Sequence, residues 1–334
     1  MSVTIKDVAK EANVSTSTVS RVLSNSSRIS EKTKERVNEV IGKLNYRPNA
    51  IARSLASNKT KILGVVLPNE SEDLITNSFF IEAMQGMSNY AKKKRYYVTY
   101  AFSDNEESEL NSIADFISSN LVAGICILRA RSNDKIIDYL NETGFPFVII
   151  GRPDESDKML WVDNDNFEVT YKITQNLINK GYKKIQFIGA QKRWNVSKDR
   201  INGFLEACRV NGIKVKDSDI IIERDFSIEN GKTAAEKIFK SGNIPEAIVA
   251  QDDLIAMGVI DVFKENNRNI NIIGFNNSPI MQYRNPKVSS VDINGVELGY
   301  YATKLLIDRL ENKNMKINHY IVKSKIVYRD SFKK

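Results

Sequence analysis

The residues best suited to selective chemistry lie near the start of the chain, at Thr16, Ser17, Ser20 and Arg21. Three short hydroxyls and one guanidinium on the outer side of a helix can donate and accept hydrogen bonds, the equipment for reading base edges and holding phosphates. Groups that make or break bonds are scarce. His319 is the single histidine, and its late polar setting reads as surface. Gly64 stands alone in the first strand-like run, so no glycine-rich phosphate loop follows it, and no nucleophile-elbow pattern occurs. Cys126 and Cys208 sit in apolar and helical stretches and read as small buried hydrophobes, with neither a disulfide framework nor metal-ligand spacing. The expectation is a protein that is not an enzyme and has no catalytic residue, bound metal or cofactor.

The elements that must position those hydroxyls follow from periodicity. Ile5, Val8, Ala9 and Ala12 recur at helical spacing and give a short helix one apolar face. Ala12-Asn13-Val14 turns the chain, and Ser15 is a good N-cap for a second helix whose inner side is Val19, Val22 and Leu23. This is a helix-turn-helix, whose second helix enters the major groove; a hairpin with a solvated Ser/Thr face would share the pattern. A polar loop, 24–27, leads to a third helix capped by Ser30, with Thr33, Val37, Val40, Ile41 and Leu44 on one face and Pro48 as its stop. Residues 49–56 have good helix propensity but are too few to hold a helix alone in water. They form either a helix that exists only when something else holds it or a plain linker.

Charge favours the nucleic-acid reading. Of the net +8, residues 1–61 carry +7, from twelve Lys/Arg against five acids. A basic head on a near-neutral body is the footprint of a polyanion-binding module. No apolar run approaches the roughly eighteen residues of a membrane span and no signal-peptide pattern opens the chain, so a cytoplasmic protein with no membrane partner is expected.

From Ile62 the pattern changes. Strand-like runs at 62–68, 97–103, 123–129 and 146–152 alternate with helices near 79–95, 106–120 and 133–143. A second series has strands at 183–190, 219–225, 246–252 and 270–276, with helices near 166–180, 197–211, 229–241 and 254–266. Such alternation predicts two doubly wound parallel sheets, with a ligand cleft between lobes at the strands' carboxyl ends. A late helix, 294–312, and a strand over 319–328 return the chain between lobes, making a hinge. The expected division is a headpiece over 1–47, a hinge helix and linker over 48–61, and a body over 62–334. Its N-lobe spans about 62–161 plus 293–319, and its C-lobe about 162–292 plus 320–332.

Several ordered stretches resemble the LacI/GalR family of bacterial transcription regulators. They are Thr4-Ile5-Lys6-Asp7-Val8-Ala9, Thr18-Val19-Ser20-Arg21-Val22, Leu44-Asn45-Tyr46-Arg47-Pro48-Asn49, Ala52-Arg53-Ser54-Leu55, Arg200-Ile201-Asn202-Gly203-Phe204, and Ala250 to Gly258. The resemblance implies a helix-turn-helix headpiece and hinge helix before a periplasmic-binding-protein-like body, working as a homodimer on a pseudo-palindromic operator. It implies that Thr16, Ser17 and Arg21 meet bases and nearby backbone, and that Thr4, Ser15, Ser20, Asn25, Arg28 and Tyr46 mainly hold phosphates. Asn49, Ala52, Arg53 and Leu55 would belong to the minor-groove hinge helix, with Leu55 as the wedge that unstacks a central step.

In the cleft the resemblance implies a small sugar effector. Arg200 matches the family's ligand-clamping arginine, suited to forked contacts, and Asp252 its acceptor for sugar hydroxyls. Phe226 falls near the expected stacking ring. An ion pair, a helix cap and a core position are the competing roles for these three. Asn77-Ser78-Phe79-Phe80, Ile149 to Pro153 with Arg152, and Trp161 to Asn166 lean toward a maltose-type effector, and Trp194 with Arg193 extends the platform unless Trp194 is an ordinary surface tryptophan. Three departures stand out: Ser78 where proline is usual, Asn276-Asn277 where an acid is usual, and a connection over 265–270 that is shorter than is typical. The expected function is a repressor switched by maltose or a related α-glucoside. The alternatives are another sugar, a corepressor, a phosphorylated carrier protein and, less in keeping with the basic head, a sugar-binding transport component.

Overall fold

The structure, a computed structural model, describes residues 3–46, 60–68 and 77–333. The chain divides into two compact units, 1–60 and 61–334. In the first, α1 (Ile5–Glu11), α2 (Thr16–Leu23) and α3 (Glu31–Lys43) enclose a core of Val8, Ala9, Ala12, Val19, Val22 and Val37. The Ser15 hydroxyl accepts from the Thr18 amide at 3.2 Å and caps α2. Helix α3 ends well before Pro48, because Asn45 turns into the left-handed region at φ 48°; the proline is not what stops it.

Among its described residues the second unit forms two six-stranded sheets. The first runs β2 (Tyr97–Ser103), β1 (Ile62–Pro68), β3 (Gly124–Ile127), β4 (Phe147–Ile150), β5 (Trp161–Asn164), β11 (His319–Val322), all parallel. The second runs β7 (Ile220–Glu223), β6 (Ile185–Ala190), β8 (Ala247–Ala250), β9 (Asn271–Phe275), β10 (Ser289–Asp292), β12 (Lys325–Val327), with only the β10–β12 pair antiparallel. Connecting helices cover both faces of each sheet. They are α4 (Ser78–Lys94), α5 (Glu106–Ser118), α6 (Lys135–Thr143), α7 (Asn166–Asn179), α8 (Asn195–Val210), α9 (Ile228–Ser241), α10 (Asp253–Glu265) and α11 (Gly295–Glu311). Double cover explains the unbroken apolar runs: in β1, Leu63, Val65 and Leu67 join one core while Ile62 and Val66 pack with another.

Helices α4 and α11 cross closely because glycines meet there. A Cβ on Gly86 would lie 1.9 Å from the Val296 carbonyl oxygen, and one on Gly299 would lie 2.0 Å from that of Ala83. Cys126 and Cys208 are buried free thiols, pushed up by burial to about 12 and about 11. No helix among the described residues is long and apolar enough to cross a membrane.

Three expectations need correction. Strands β5 and β10 are absent from the sequence reading: at four residues each, with polar ends, they offer no apolar run. The expected strand over 319–328 is two strands in different sheets. Consequently the lobe boundaries at 161/162 and 319/320 move: β5 and β11 complete the first sheet, so the chain crosses after Asn164 and again at 323–324.

Candidate nucleic-acid interface and interlobe cleft

In the head, packing of Val19 and Val22 inward leaves Thr16, Ser17, Ser20 and Arg21 exposed on the other side of α2. No ion pair to Arg21 occurs among the described residues, so its charge is available to a polyanion. The hydroxyls of Ser15, Ser17 and Thr18 form a cluster, with Ser15 Oγ 2.8 Å from Ser17 Oγ and 2.9 Å from Thr18 Oγ1. At the start of α1, the Thr4 amide and hydroxyl both donate to Asp7 Oδ2, at 2.8 and 2.7 Å, and the hydroxyl bond leads in holding the Asp7 carboxyl below its usual range. Asn25, at φ 52°, and Arg28 are exposed beyond α2, whereas Tyr46 is half-buried against the head's core. Asn49, Ala52, Arg53 and Leu55 lie outside the described residues.

In the body, a cavity of about 520 Å³ opens between the lobes. Its walls come from segments that follow the carboxyl ends of β1 to β10, where helix N-termini and loops leave polar groups unspent on the sheets. Phe79, Phe80, Trp194, Arg200, Phe226, Asp252 and Asn276 all line it. Arg152 does not. Its exposed guanidinium stands 5.7 Å from the Trp161 ring, and its amide donates to Asp163 Oδ2 at 2.9 Å. Gly151 lines the cavity in its place, and the chain turns Arg152 away.

Arg200 is buried. Its Nε donates to Asn166 Oδ1 at 2.9 Å, its Nη1 to the Gln251 carbonyl at 2.6 Å, and its guanidinium lies 3.8 Å from the Phe275 ring centroid. Burial pulls it down to about 10, opposed by the nearby carboxylates, Asp252 foremost; it stays cationic at neutral pH. Asp252 serves as both helix cap and cleft acceptor: Oδ1 takes the Leu254 amide at 2.7 Å and Oδ2 takes Asn276 Nδ2 at 2.7 Å. The missing acid after Gly-Phe thus has a local logic. Asn276 donates where a second carboxylate would repel. Below it, Asp253 accepts from the Ser278 amide and the Ser290 hydroxyl, and burial, then Asp252, pushes its carboxyl well above the usual range.

The cleft also holds Arg129, Arg131, Asp104, Glu106, Arg224 and Asp225, which the sequence reading missed, beside Arg193, which it paired with Trp194. The Arg129 and Arg131 guanidinium centres are each 5.7 Å from the Trp194 ring, and that of Arg193 is 5.0 Å away. Buried Glu109 pairs with Arg129 and, at 3.4 Å, with Arg131, which also reaches Asp134 at 3.0 Å. Burial, then Arg131, lowers Arg129 to about 10. Asn77, Asp104, Glu106, Asp163, Asn166, Arg224 and Asp225 complete much of the polar wall. Asn77, Asp163 and Asn166 belong to the stretches singled out as maltose-type, whereas the signal of the others is position, each just after a strand or at the start of a helix, rather than any motif. Among the described residues the lining carries five arginines (129, 131, 193, 200, 224) and five carboxylates (104, 106, 163, 225, 252). Balanced charge beside aromatic rings suits a neutral ligand rich in hydroxyls. No cluster of metal-ligating side chains occurs among the described residues.

Comparison with known proteins agrees with both halves. Residues 4–49 match the bacterial regulatory proteins of the lacI family, and residues 174–332 match a periplasmic binding protein-like domain. The chain is 36% identical over 320 residues, 95% of each chain, to the HTH-type transcriptional regulator MalR of Streptococcus pneumoniae. A probable maltose operon transcriptional repressor from Staphylococcus aureus superposes with a TM-score of 0.75 at 25% identity, covering 82% of this chain and 99% of that one. The Lac repressor dimer bound to operator and the anti-inducer ONPF superposes with a TM-score of 0.84 over the whole of both chains at 20% identity, a likeness of fold.

Proposed function

This chain belongs to the lacI family of bacterial transcriptional regulators, and from that premise we propose that it is an operator-binding repressor switched by an α-glucoside such as maltose. The carrying observation is the cleft, where Arg200, Asp252 and Asn276 converge with Phe79, Phe80, Trp194 and Phe226 around one cavity. Rings cover the apolar faces of a sugar, while forked donors and carboxylates take its hydroxyls. Similarity to a maltose-type regulator supports the choice of sugar.

In this reading residues 1–47 bind DNA, 48–61 form the hinge segment, and 62–334 bind effector and pair as a homodimer. Thr16, Ser17 and Arg21 contact bases and nearby backbone. Thr4, Ser15, Ser20, Asn25, Arg28 and Tyr46 mainly hold phosphates, and Asn49, Ala52, Arg53 and Leu55 act at the centre of a pseudo-palindromic site. Sugar binds one lobe state better than the other and changes operator affinity only by that difference. The protein acts in the cytoplasm, without enzymatic turnover of its effector.

Trp194 provides the test. Titration with maltose should change tryptophan emission saturably, with galactose and lactose as controls. No response to maltose or any other α-glucoside, alongside a response to a different sugar, would remove maltose and keep the regulator.

A further inference from the structure

Among the described residues the chain passes between the lobes three times: after Asn164, at Ile293 and after Val322. The buried Asn164 side chain meets both other passages, its Nδ2 donating to the Ile293 carbonyl at 2.9 Å and to the Val322 carbonyl at 2.9 Å. A primary amide has two N–H groups, and here both are spent on the other two crossings. A second set of bonds starts one residue earlier. Asp163 Oδ1 takes the Asn164 amide at 2.7 Å and Asn166 Nδ2 at 2.9 Å, while Asn166 Oδ1 takes Arg200 Nε at 2.9 Å. Arg200 reaches on to the end of β8 through the Gln251 carbonyl.

We propose that Asn164 is the pin joining the three strands of the hinge, and that Asp163 and Asn166 connect Arg200 to that pin. Only the naming of Arg200 as an effector contact rests on the functional reading above; the pin does not. Both asparagines are used for two-sided hydrogen bonding: Asn166 donates to a carboxylate and accepts from a guanidinium at once, which neither Asp nor a hydrophobe can do. A ligand that moves Arg200 therefore acts on all three crossings together, and the lobes move as bodies rather than by fraying at one strand.

Amide hydrogen exchange on the full-length protein, without sugar or DNA, tests this. Asn164→Ala should speed exchange about tenfold across 291–295 and 321–326, segments that carry no mutation, the size expected for losing buried hydrogen bonds. Amides of β3 and β8 should keep wild-type rates. Asn164→Ser, which retains one donor, should give the same pattern at smaller amplitude and stands in if the alanine variant does not fold. Asn166→Ala should raise exchange about threefold in the same two segments, reflecting one lost connection. Change confined to 161–166 in the Asn164 variants would overturn the pin, and wild-type rates at 291–295 and 321–326 in Asn166→Ala would overturn the connection. Maltose added to the wild type is a separate arm: absence of any effect there would count against the sugar and leave both ligand-free outcomes unchanged.

Discussion

Arg200→Lys is the substitution whose consequences can be worked out most fully. The guanidinium spends Nε on Asn166 Oδ1 and Nη1 on the Gln251 carbonyl while stacking on Phe275. An ammonium can reach one of those acceptors and leaves the other buried without its donor, at a cost of about 1–3 kcal/mol. It also loses the planar stacking contact, worth roughly 1–2 kcal/mol when desolvated. Part of that loss falls equally on the bound and free protein and appears as lower stability, about 2–3 kcal/mol in urea unfolding. The part that concerns sugar is the loss of the guanidinium N–H groups left over from those bonds, on a side chain that lines the cavity. It should weaken effector binding by about thirtyfold, or roughly 2 kcal/mol. Calorimetric titration measures the affinity, and operator anisotropy without sugar should stay within about threefold of wild type, because the head is a separate unit. Wild-type sugar affinity in a folded Arg200→Lys protein would refute the reasoning that this arginine clamps the effector.

Three further outcomes follow. Asp252→Asn keeps the α10 cap through its carbonyl but turns an amide toward Asn276 Nδ2; calorimetry should show sugar affinity about tenfold lower with stability changed by less than about 1 kcal/mol. Gly86→Ala drives a methyl into the Val296 carbonyl oxygen of α11, and thermal unfolding should show a loss of about 2 kcal/mol or more. Burial raises the Asp163 carboxyl from 3.8 to about 6, against the pull of the Asn164 and Arg152 amides and Arg200. Because the folded state then holds the proton more tightly than the unfolded one, this group's contribution is fully present below pH about 4 and is lost as pH rises to about 6, a change of order 3 kcal/mol. Replacing Asp163 should remove that slope from the pH dependence of urea unfolding.

The sequence and the structure agree most closely where a physical period is strong. Ile5, Val8, Ala9 and Ala12 announce α1, and the apolar runs of β1, β3 and β8 are visible because parallel strands covered on both faces need no polar residues. Strands β5 and β10 have the composition of loops, Trp-Val-Asp-Asn and Ser-Ser-Val-Asp, since their polar ends serve the hinge and the layer beneath Asp253 rather than a core. In the cleft, motif-bearing residues such as Arg200 and Asp252 are legible in the chain, whereas Arg152 is not, because a one-residue step at Gly151 decides which side chain faces the cavity. Arg129 and Arg131 belong to no recognisable spacing. They meet Trp194 only through the crossing of the two lobes, a relation between residues tens of positions apart that no local pattern carries.

Control of DNA binding by a sugar is tested most directly by fluorescence anisotropy on a pseudo-palindromic duplex with a central CG step and on a scrambled duplex, with and without maltose, across salt. The expected result is tighter binding to the palindrome, a steep loss with salt as phosphate contacts release counterions, and release from the palindrome by maltose. Specific binding that no sugar alters would contradict the proposed switch, and equal weak binding to every duplex, across several candidate operators, would contradict the reading of α2 as the element that recognises DNA.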